Sequence, residues 1–279
     1  MIIGGHLSTK EGFGKLPELA VGIGFNTYQF FSKNQMQWKS KPIDDKSAQE
    51  HIENMRKFNI AKPAIHASYL LNLGSPEDSK RQQSYNAFLD EILRANKLGV
   101  EILIFHPGAH MGSGTKKALD NIVEGMNRAI EETKDLKVKL TVENTAGQGT
   151  VVGSTIEDLQ YIKDGIEQKG RIGFCIDTCH AFQAGYNLNE KYNEVFDDFV
   201  SSLGKDMILA FHLNDSKPPF NKHLDRHEML GKGHLSKEFF VNLLTDSRWK
   251  DVPFYLETPE GEEGYPKDLD FIRKLGIKI

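Results

Sequence analysis

Two apolar patterns alternate along the chain. Short runs rich in β-branched and aromatic residues recur. Each is followed by a polar turn and a longer stretch whose apolar positions repeat about every three to four residues. The runs at 2–7, 27–31, 63–68, 102–107, 139–145, 172–180, 208–215 and 254–259 predict eight strands. The longer stretches near 13–23, 46–58, 79–98, 115–135, 155–167, 190–203, 236–245 and 266–275 predict eight helices. The stretch at 79–98 is the clearest. Tyr85, Phe88, Leu89, Ile92, Leu93 and Ala95 fall on one side, and Gly99 is placed to cap its end. Ser236 is expected to N-cap the helix that follows it, with Glu238 in the first turn.

Strict alternation of strand and helix predicts a parallel sheet covered by helices. Eight of each within 279 residues read as one (β/α)8 TIM barrel, a single domain over 1–279. An open doubly wound sheet uses the same alternation. However, no GxGxxG follows the first strand, and Gly4-Gly5 lies inside that strand, where packing is the expected role.

Composition narrows the setting. With 39% hydrophobic and 27% charged residues, the chain has ample material for a core. No apolar run approaches the ~20 residues that span a bilayer, and Met1–Leu7 lacks the pattern of a secretory leader. Cys175 and Cys179 are too few for a disulfide framework and are read as core residues. A cytoplasmic monomer with no membrane partner is expected. The balance of 35 basic against 39 acidic residues, a net −4, argues by itself against a nucleic-acid partner.

The strand ends change that reading. Barrel chemistry sits where the strands finish, and six consecutive predicted strands finish on ionisable residues. These are His66, then His106, Glu143, Asp177 with His180, His212 with Asp215, and Glu257. The loop after the seventh strand adds Asp225, Arg226 and His227. One histidine after an apolar run is usually a hydrogen-bonded structural residue. Many converging carboxylates and imidazoles are another matter, since each buried charge costs several kcal/mol unless offset. No Lys or Arg ends any of these strands; divalent cations would supply the offset. Imidazole with carboxylate and no thiolate suits Zn²⁺, with Mn or Fe conceivable at some positions. His6 is expected to line the pocket, His223 and His234 flank the ligand loop, and His51, in a helix, is expected on the surface. His110 follows His106 by four, but Pro107-Gly108 breaks the helix that would pair them.

Seven stretches carry a family resemblance: HASYLLNLGS from His66, FHPGAH from Phe105, ENTAGQG from Glu143, CIDTCHAFQAGY from Cys175, HLNDSK from His212, DRHEMLGKG from Asp225 and LETPEG ending at Gly261. Over essentially its whole length the chain resembles the endonuclease IV family of apurinic/apyrimidinic endonucleases. The resemblance implies a TIM barrel holding three zinc ions. His66, His106 and Glu143 would hold the first, and Glu143 would bridge to a second shared with Asp177, His212 and Glu257. His180, Asp225 and His227 would hold the third. The implied reaction is hydrolysis 5′ to an abasic site in duplex DNA during base excision repair, leaving 3′-hydroxyl and 5′-deoxyribose phosphate ends. Removal of 3′-blocking groups would be a related activity. Gln37, Tyr69 and Leu70 match residues that engage the lesion, and Arg226 joins them as a DNA contact. Where the family usually has Arg, this chain has Met36, which can still wedge between bases.

Charge then reads differently. Three Zn²⁺ would turn the formal −4 into +2, and Lys217, Lys222, Arg226 and Lys232 crowd the loop after the seventh strand. The rival reading is a divalent-metal sugar isomerase or epimerase on the same barrel. Such enzymes do not need the Asp225-Arg226-His227 loop, so its presence favours the nuclease.

Overall fold

The computed structural model describes residues 1–279. Eight parallel strands close into a barrel: β1 (Ile3–Leu7), β2 (Gln29–Phe31), β3 (Ala64–His66), β4 (Ile102–Phe105), β5 (Lys139–Glu143), β6 (Ile172–Asp177), β7 (Ile208–His212) and β10 (Phe254–Leu256). They pair in chain order around the ring, and β10 closes on both β7 and β1. The short strands β8 (Asp215–Ser216) and β9 (His227–Glu228) form an antiparallel ribbon outside the barrel, within the long loop after β7. This confirms the TIM barrel.

Helices pack the outside. They are α1 (Leu16–Ile23), α2 (Asp45–Lys57), α3 (Asp78–Lys97), α4 (Thr115–Glu132), α5 (Ile156–Gly165), α6 (Thr178–Gln183), α7 (Tyr192–Leu203), α8 (Lys237–Thr245) and α9 (Gly261–Lys274). None is long and apolar enough to cross a membrane. Ser236 caps α8 as expected, its hydroxyl accepting the Phe239 N–H at 3.1 Å. Gly99 follows α3 with φ +71, a left-handed conformation that glycine adopts freely. The main core lies between the helices and the outer faces of the strands. A smaller cluster of Ala64, Ile102, Ile104, Cys175, Ala210 and Tyr255 fills the lumen. The lumen is therefore solid, and the strand ends above it form a floor for chemistry.

Several expectations need correction. The sixth strand stops at Asp177 rather than running to His180. The Asp177 carboxylate accepts the His180 N–H at 2.7 Å and starts α6, so a capping residue converts the end of an apolar run into a helix. The seventh strand stops at His212, and Asp215 belongs to the ribbon. The last helix begins at Gly261 and carries Pro266 inside it, because Tyr265, Leu269 and Ile272 bury along one face. Leu93 does not share the buried side of α3; it is 51% exposed.

His51 is not on the surface but fully buried. Its Nδ1–H donates to the Leu98 carbonyl at 2.9 Å, and its Nε2 lies 2.6 Å from the Tyr28 hydroxyl. The hydrophobic pattern of α2 could not reveal this, because a polar residue on the inner face is legible only through its partners. Burial pushes the His51 imidazole down to about 4 from an ordinary 6.5. The unfolded chain therefore takes up a proton before the folded protein does. The stability due to neutral His51 is complete above 6.5 and is lost as pH falls from there to about 4. That loss is on the order of 3 kcal/mol. Urea denaturation across this window is expected to show His51→Gln losing less stability than wild type; parallel curves for the two proteins would remove His51 from the account.

Candidate metal centre

Each candidate ligand is delivered by a strand end. His66, Glu143, Asp177 and His212 are the last residues of β3, β5, β6 and β7; His106 and Glu257 follow β4 and β10 directly. His180 sits in the first turn of α6. Asp225 and His227 come from the long loop, which Asp215 holds in place. That buried carboxylate accepts the backbone N–H groups of Gly231, Gly233 and Leu235 at 3.0, 2.9 and 2.9 Å. Asp215 is thus an anchor for the ligand loop, and its oxygens are already committed to backbone.

The nine candidates fall into three clusters, each with ligand atoms within 4.8 Å of one another. Glu143 joins two of them. Its Oε2 lies 3.0 Å from His66 Nε2 and 3.1 Å from His106 Nε2. Its Oε1 lies 2.8 Å from His212 Nδ1, in a cluster completed by Asp177 and Glu257. One carboxylate therefore gives one oxygen to each group. The third cluster sets His180 Nε2 3.1 Å and His227 Nε2 3.5 Å from Asp225 Oδ1.

Hydrogen bonds behind the ligands fix which ring nitrogen is free. His66 Nδ1–H donates to the Ala67 carbonyl at 2.8 Å, and His180 Nδ1–H to the Asn144 carbonyl at 2.9 Å. His227 Nδ1–H donates to the Glu257 carbonyl at 3.2 Å. In each ring the lone pair is left on Nε2. His212 is reversed: its Nε2–H donates to Gln29 Oε1 at 2.8 Å, leaving the Nδ1 lone pair toward Glu143. These partners orient ligands as metal centres require.

The arrangement fits divalent cations. His180 Nε2 and His227 Nε2 are 3.4 Å apart, and both carry a lone pair beside the Asp225 oxygen. Three electron-rich atoms that close repel unless a positive charge stands among them. Most of the donor set is buried, and it is imidazole and carboxylate without thiolate, as Zn²⁺ prefers. Cys179 lies near Asp177 and His227, but burial pushes its thiol up to about 12 and it donates to the Arg226 carbonyl at 3.5 Å. Cys175 is buried in the lumen, as expected.

With no cation bound, these groups charge one another. Burial pushes the Glu143 carboxyl up, but the imidazoles of His212, His106 and His180 outweigh it and hold it well below the usual range. Glu257 is lowered in the same way, chiefly by His212 and His6 against burial. Burial disfavours charge on His180, yet Asp177 and Asp225 hold its pKa well above 6.5. Burial likewise opposes charge on His212, and the Cys175 sulfur with Glu143 and Glu257 raises it well above 6.5.

Four buried polar residues around the ligands were not singled out from the sequence: Gln29, Asn144, Thr178 and Asn214. Gln29 is the most connected. Besides accepting from His212, its Nε2 donates to Glu257 Oε1 at 2.7 Å and to His6 Nδ1 at 3.0 Å. Asn214 Nδ2 donates to Asp177 Oδ2 at 2.7 Å, and Asn144 Oδ1 accepts the Asp177 N–H at 2.7 Å. The only sequence signal was a polar residue inside an apolar run. His6 does line the pocket, with its ring against Phe31 and its Nε2 buried without a partner.

Beyond the ligands, the rim is set up for contact. Met36 is 67% exposed and Tyr69 53% exposed; Gln37 and Arg226 are exposed and Leu70 half-buried. The Tyr69 ring lies 5.5 Å from that of His66, so this aromatic borders the ligand cluster. Lys217, Lys222 and Lys232 are exposed on the long loop.

Known proteins match both chain and fold. The family described as xylose isomerase-like TIM barrel matches residues 17–275. A protein of Thermoplasma volcanium named probable endonuclease 4 is 44% identical over 272 residues, covering 98% of this chain and 94% of the relative. One of the same name from Campylobacter curvus is 44% identical over 261 residues, covering 92% of each. The crystal structure of endonuclease IV from Thermus thermophilus superposes with a TM-score of 0.87 at 29% identity, covering 99% of this chain and 98% of that one.

Two outcomes follow from this geometry. Protonation of His180 and His212 stabilises the chelated fold below 6.5, and that support is lost as pH rises through their raised values. Metal binding needs the same nitrogens deprotonated and strengthens over that range. The melting-temperature gap between zinc-loaded and chelated protein is expected to widen between about pH 6 and about pH 8; a constant gap would mean that these imidazoles do not compete with the cation. Gln29→Leu is expected to weaken one bound cation by roughly 10–100-fold, read by competition with a chromophoric chelator, and an unchanged affinity would show that His212 is oriented by something else.

Proposed function

The chain belongs to the endonuclease IV family of xylose isomerase-like TIM barrels, and from that premise we propose that it is a zinc-dependent endonuclease hydrolysing the phosphodiester 5′ to abasic sites in duplex DNA. It is a hydrolase of DNA repair. The products would be a 3′-hydroxyl and a 5′-deoxyribose phosphate, and the same centre would release 3′-blocking groups, which are esters of the same kind. The observation that carries this reading is Glu143, whose two oxygens are divided between two ligand clusters with a third cluster beside them.

Bound zinc would supply water activation at neutral pH and neutralise charge developing on phosphoryl oxygens. The chain's own residues do the rest. His66, His106 and Glu143 would hold one ion, Glu143 with Asp177, His212 and Glu257 a second, and His180, Asp225 and His227 a third. Mn or Fe could replace zinc at some of these positions. Glu143 would be shared by the first two positions, since one of its oxygens faces His66 and His106 and the other faces His212. The partners of His66, His180, His212 and His227 keep one lone pair of each ring aimed inward, so the ligands need no rearrangement. No side chain is assigned as nucleophile. Met36, Gln37, Tyr69 and Leu70 would enter the stack at the lesion, where an apolar wedge favours a bent, locally unstacked duplex. Arg226 and the neighbouring lysines would meet the backbone, so binding should weaken steeply with salt.

The sugar isomerase reading has less support. A D-tagatose 3-epimerase-like protein shares the barrel at 20% identity with a TM-score of 0.74, a likeness of fold alone. The third cluster on the long loop adds ligands that such a reaction does not call for.

A labelled duplex with one tetrahydrofuran abasic analogue tests the proposal. Cleavage 5′ to the lesion is expected, lost on chelation and restored by zinc. Glu143→Gln is expected to reduce turnover by at least ~10³-fold, since removing the bridge takes away transition-state charge stabilisation worth ~4 kcal/mol or more. Retained turnover in that variant would refute the bridging role, and an intact duplex with fully loaded wild type would refute the reaction.

A further inference from the structure

Glu91 and Arg94 on α3 lie outside the ligand cluster, and nothing in the chemistry above uses them. Both are buried, Glu91 at 1% and Arg94 at 6% exposure. Their partners are not on α3 but on the two rim loops that carry Met36 and Tyr69. From the loop after β2, Ser32 Oγ donates to Glu91 Oε2 at 2.6 Å, and Lys33 Nζ lies 3.5 Å from Glu91 Oε1 and 2.9 Å from Asp90. From the loop after β3, the Ser68 N–H donates to Glu91 Oε1 at 3.3 Å. Arg94 clamps the far side of the first loop, donating to the carbonyls of Ser32 at 3.0 Å and Lys41 at 2.9 Å. The loops are then tied to each other, since Ser68 Oγ donates to the Gln35 carbonyl at 2.6 Å.

We propose that Glu91 is a positioning residue for recognition: with Arg94 it fixes the β2 and β3 loops as one rigid unit and so sets the pose in which Met36, Gln37, Tyr69 and Leu70 meet a distorted duplex. The inference rests on the nuclease reading for its ligand, but its structural content does not. A carboxylate shared by two loops makes their positions interdependent. Buried Lys33 cannot leave it without stranding a charge, and Arg94 spends its guanidinium on the Ser32 and Lys41 carbonyls of the same loop. The exposed side chains then begin from a backbone ordered before DNA arrives, so little ordering entropy is spent on binding. Only one residue, Ala67, separates Ser68 from the ligand His66, so the recognition unit also has a fixed distance to the metal centre.

The experiment compares wild type, Glu91→Gln and Ser68→Ala, each with its zinc content measured. Amide hydrogen exchange is followed across the whole chain, and steady-state kinetics are run on the abasic duplex. Glu91→Gln is expected to speed exchange in both 32–41 and 67–71 by tenfold or more and to raise KM by at least tenfold, with kcat and zinc content held. Ser68→Ala removes the hydroxyl that donates to the Gln35 carbonyl and accepts the Leu70 N–H at 3.2 Å, and is expected to raise KM by about 2–10-fold; it keeps the test open if Glu91→Gln folds poorly. Unchanged exchange in both loops, or faster exchange in one loop alone, would overturn the proposal. So would unchanged KM for both variants when wild type cleaves. If wild type neither binds nor cuts the duplex, the nuclease reading fails, and the exchange data still decide whether Glu91 couples the loops.

Discussion

The whole centre depends on one shared carboxylate. Glu143 is buried at the end of β5, and its oxygens face imidazoles on both sides. A lone carboxylate in that place would cost several kcal/mol. It is tolerable only because His66, His106, His180 and His212 surround it, and the Ala67 carbonyl and the Gln29 amide orient His66 and His212 by taking up the nitrogens that face away from it. The lumen below must then exclude water without crowding the ligands. Small residues do this under His212, where Ala210 and Cys175 leave room and Tyr255 closes the space. The demands of one charge thus run outward through ligands, their hydrogen-bond partners and packing.

A second polar network is kept apart from the first. Glu91 and Arg94 sit on α3, outside the barrel wall, and hold the loop that carries Lys33 rather than the candidate ligands. The division has a physical basis. Ligands must be held to a fraction of an ångström, which strand ends provide. Recognition residues must protrude, which only loops allow, and a protruding loop has little apolar surface with which to hold itself. Buried charge on a neighbouring helix replaces that missing core. Asp215 does the same for the long loop, spending its oxygens on the N–H groups of Gly231, Gly233 and Leu235.

The barrel and the convergence of the candidate residues were legible in the sequence for one reason. Strand periodicity locates strand ends, and a closed parallel barrel brings all such ends to one mouth, so residues such as His66 and Glu257 could be grouped without coordinates. What stayed hidden depends on partners rather than pattern. Gln29 looks like an ordinary polar residue in a strand, and nothing in 27–31 says that it faces His212 and Glu257. His51 fits a surface helix equally well until its hydrogen bonds to Leu98 and Tyr28 are known. The false extension of the sixth strand has the same origin, because Asp177 acts through a cap three residues on. Nothing in the apolar pattern of α3 points to Glu91 or Arg94; their roles come from the loops that cross above them.

Charge ties the centre to its ligand. The four candidate carboxylates Glu143, Asp177, Asp225 and Glu257 equal the entire formal charge of −4, and all face the mouth that a nucleic acid would approach. Without cations that mouth presents carboxylates to a phosphate backbone, and the long-range field opposes association. Three divalent cations would reverse the local sign beside the exposed lysines of the long loop. Residues that would hold a catalyst would in that way also make affinity for the polyanion conditional on loading. With an acidic sequence pI of about 6.2, the chain would owe tight binding of DNA to a filled centre. Overall charge read from sequence misleads here because the counter-charges are not encoded in the chain, whereas the residues that would gather them are.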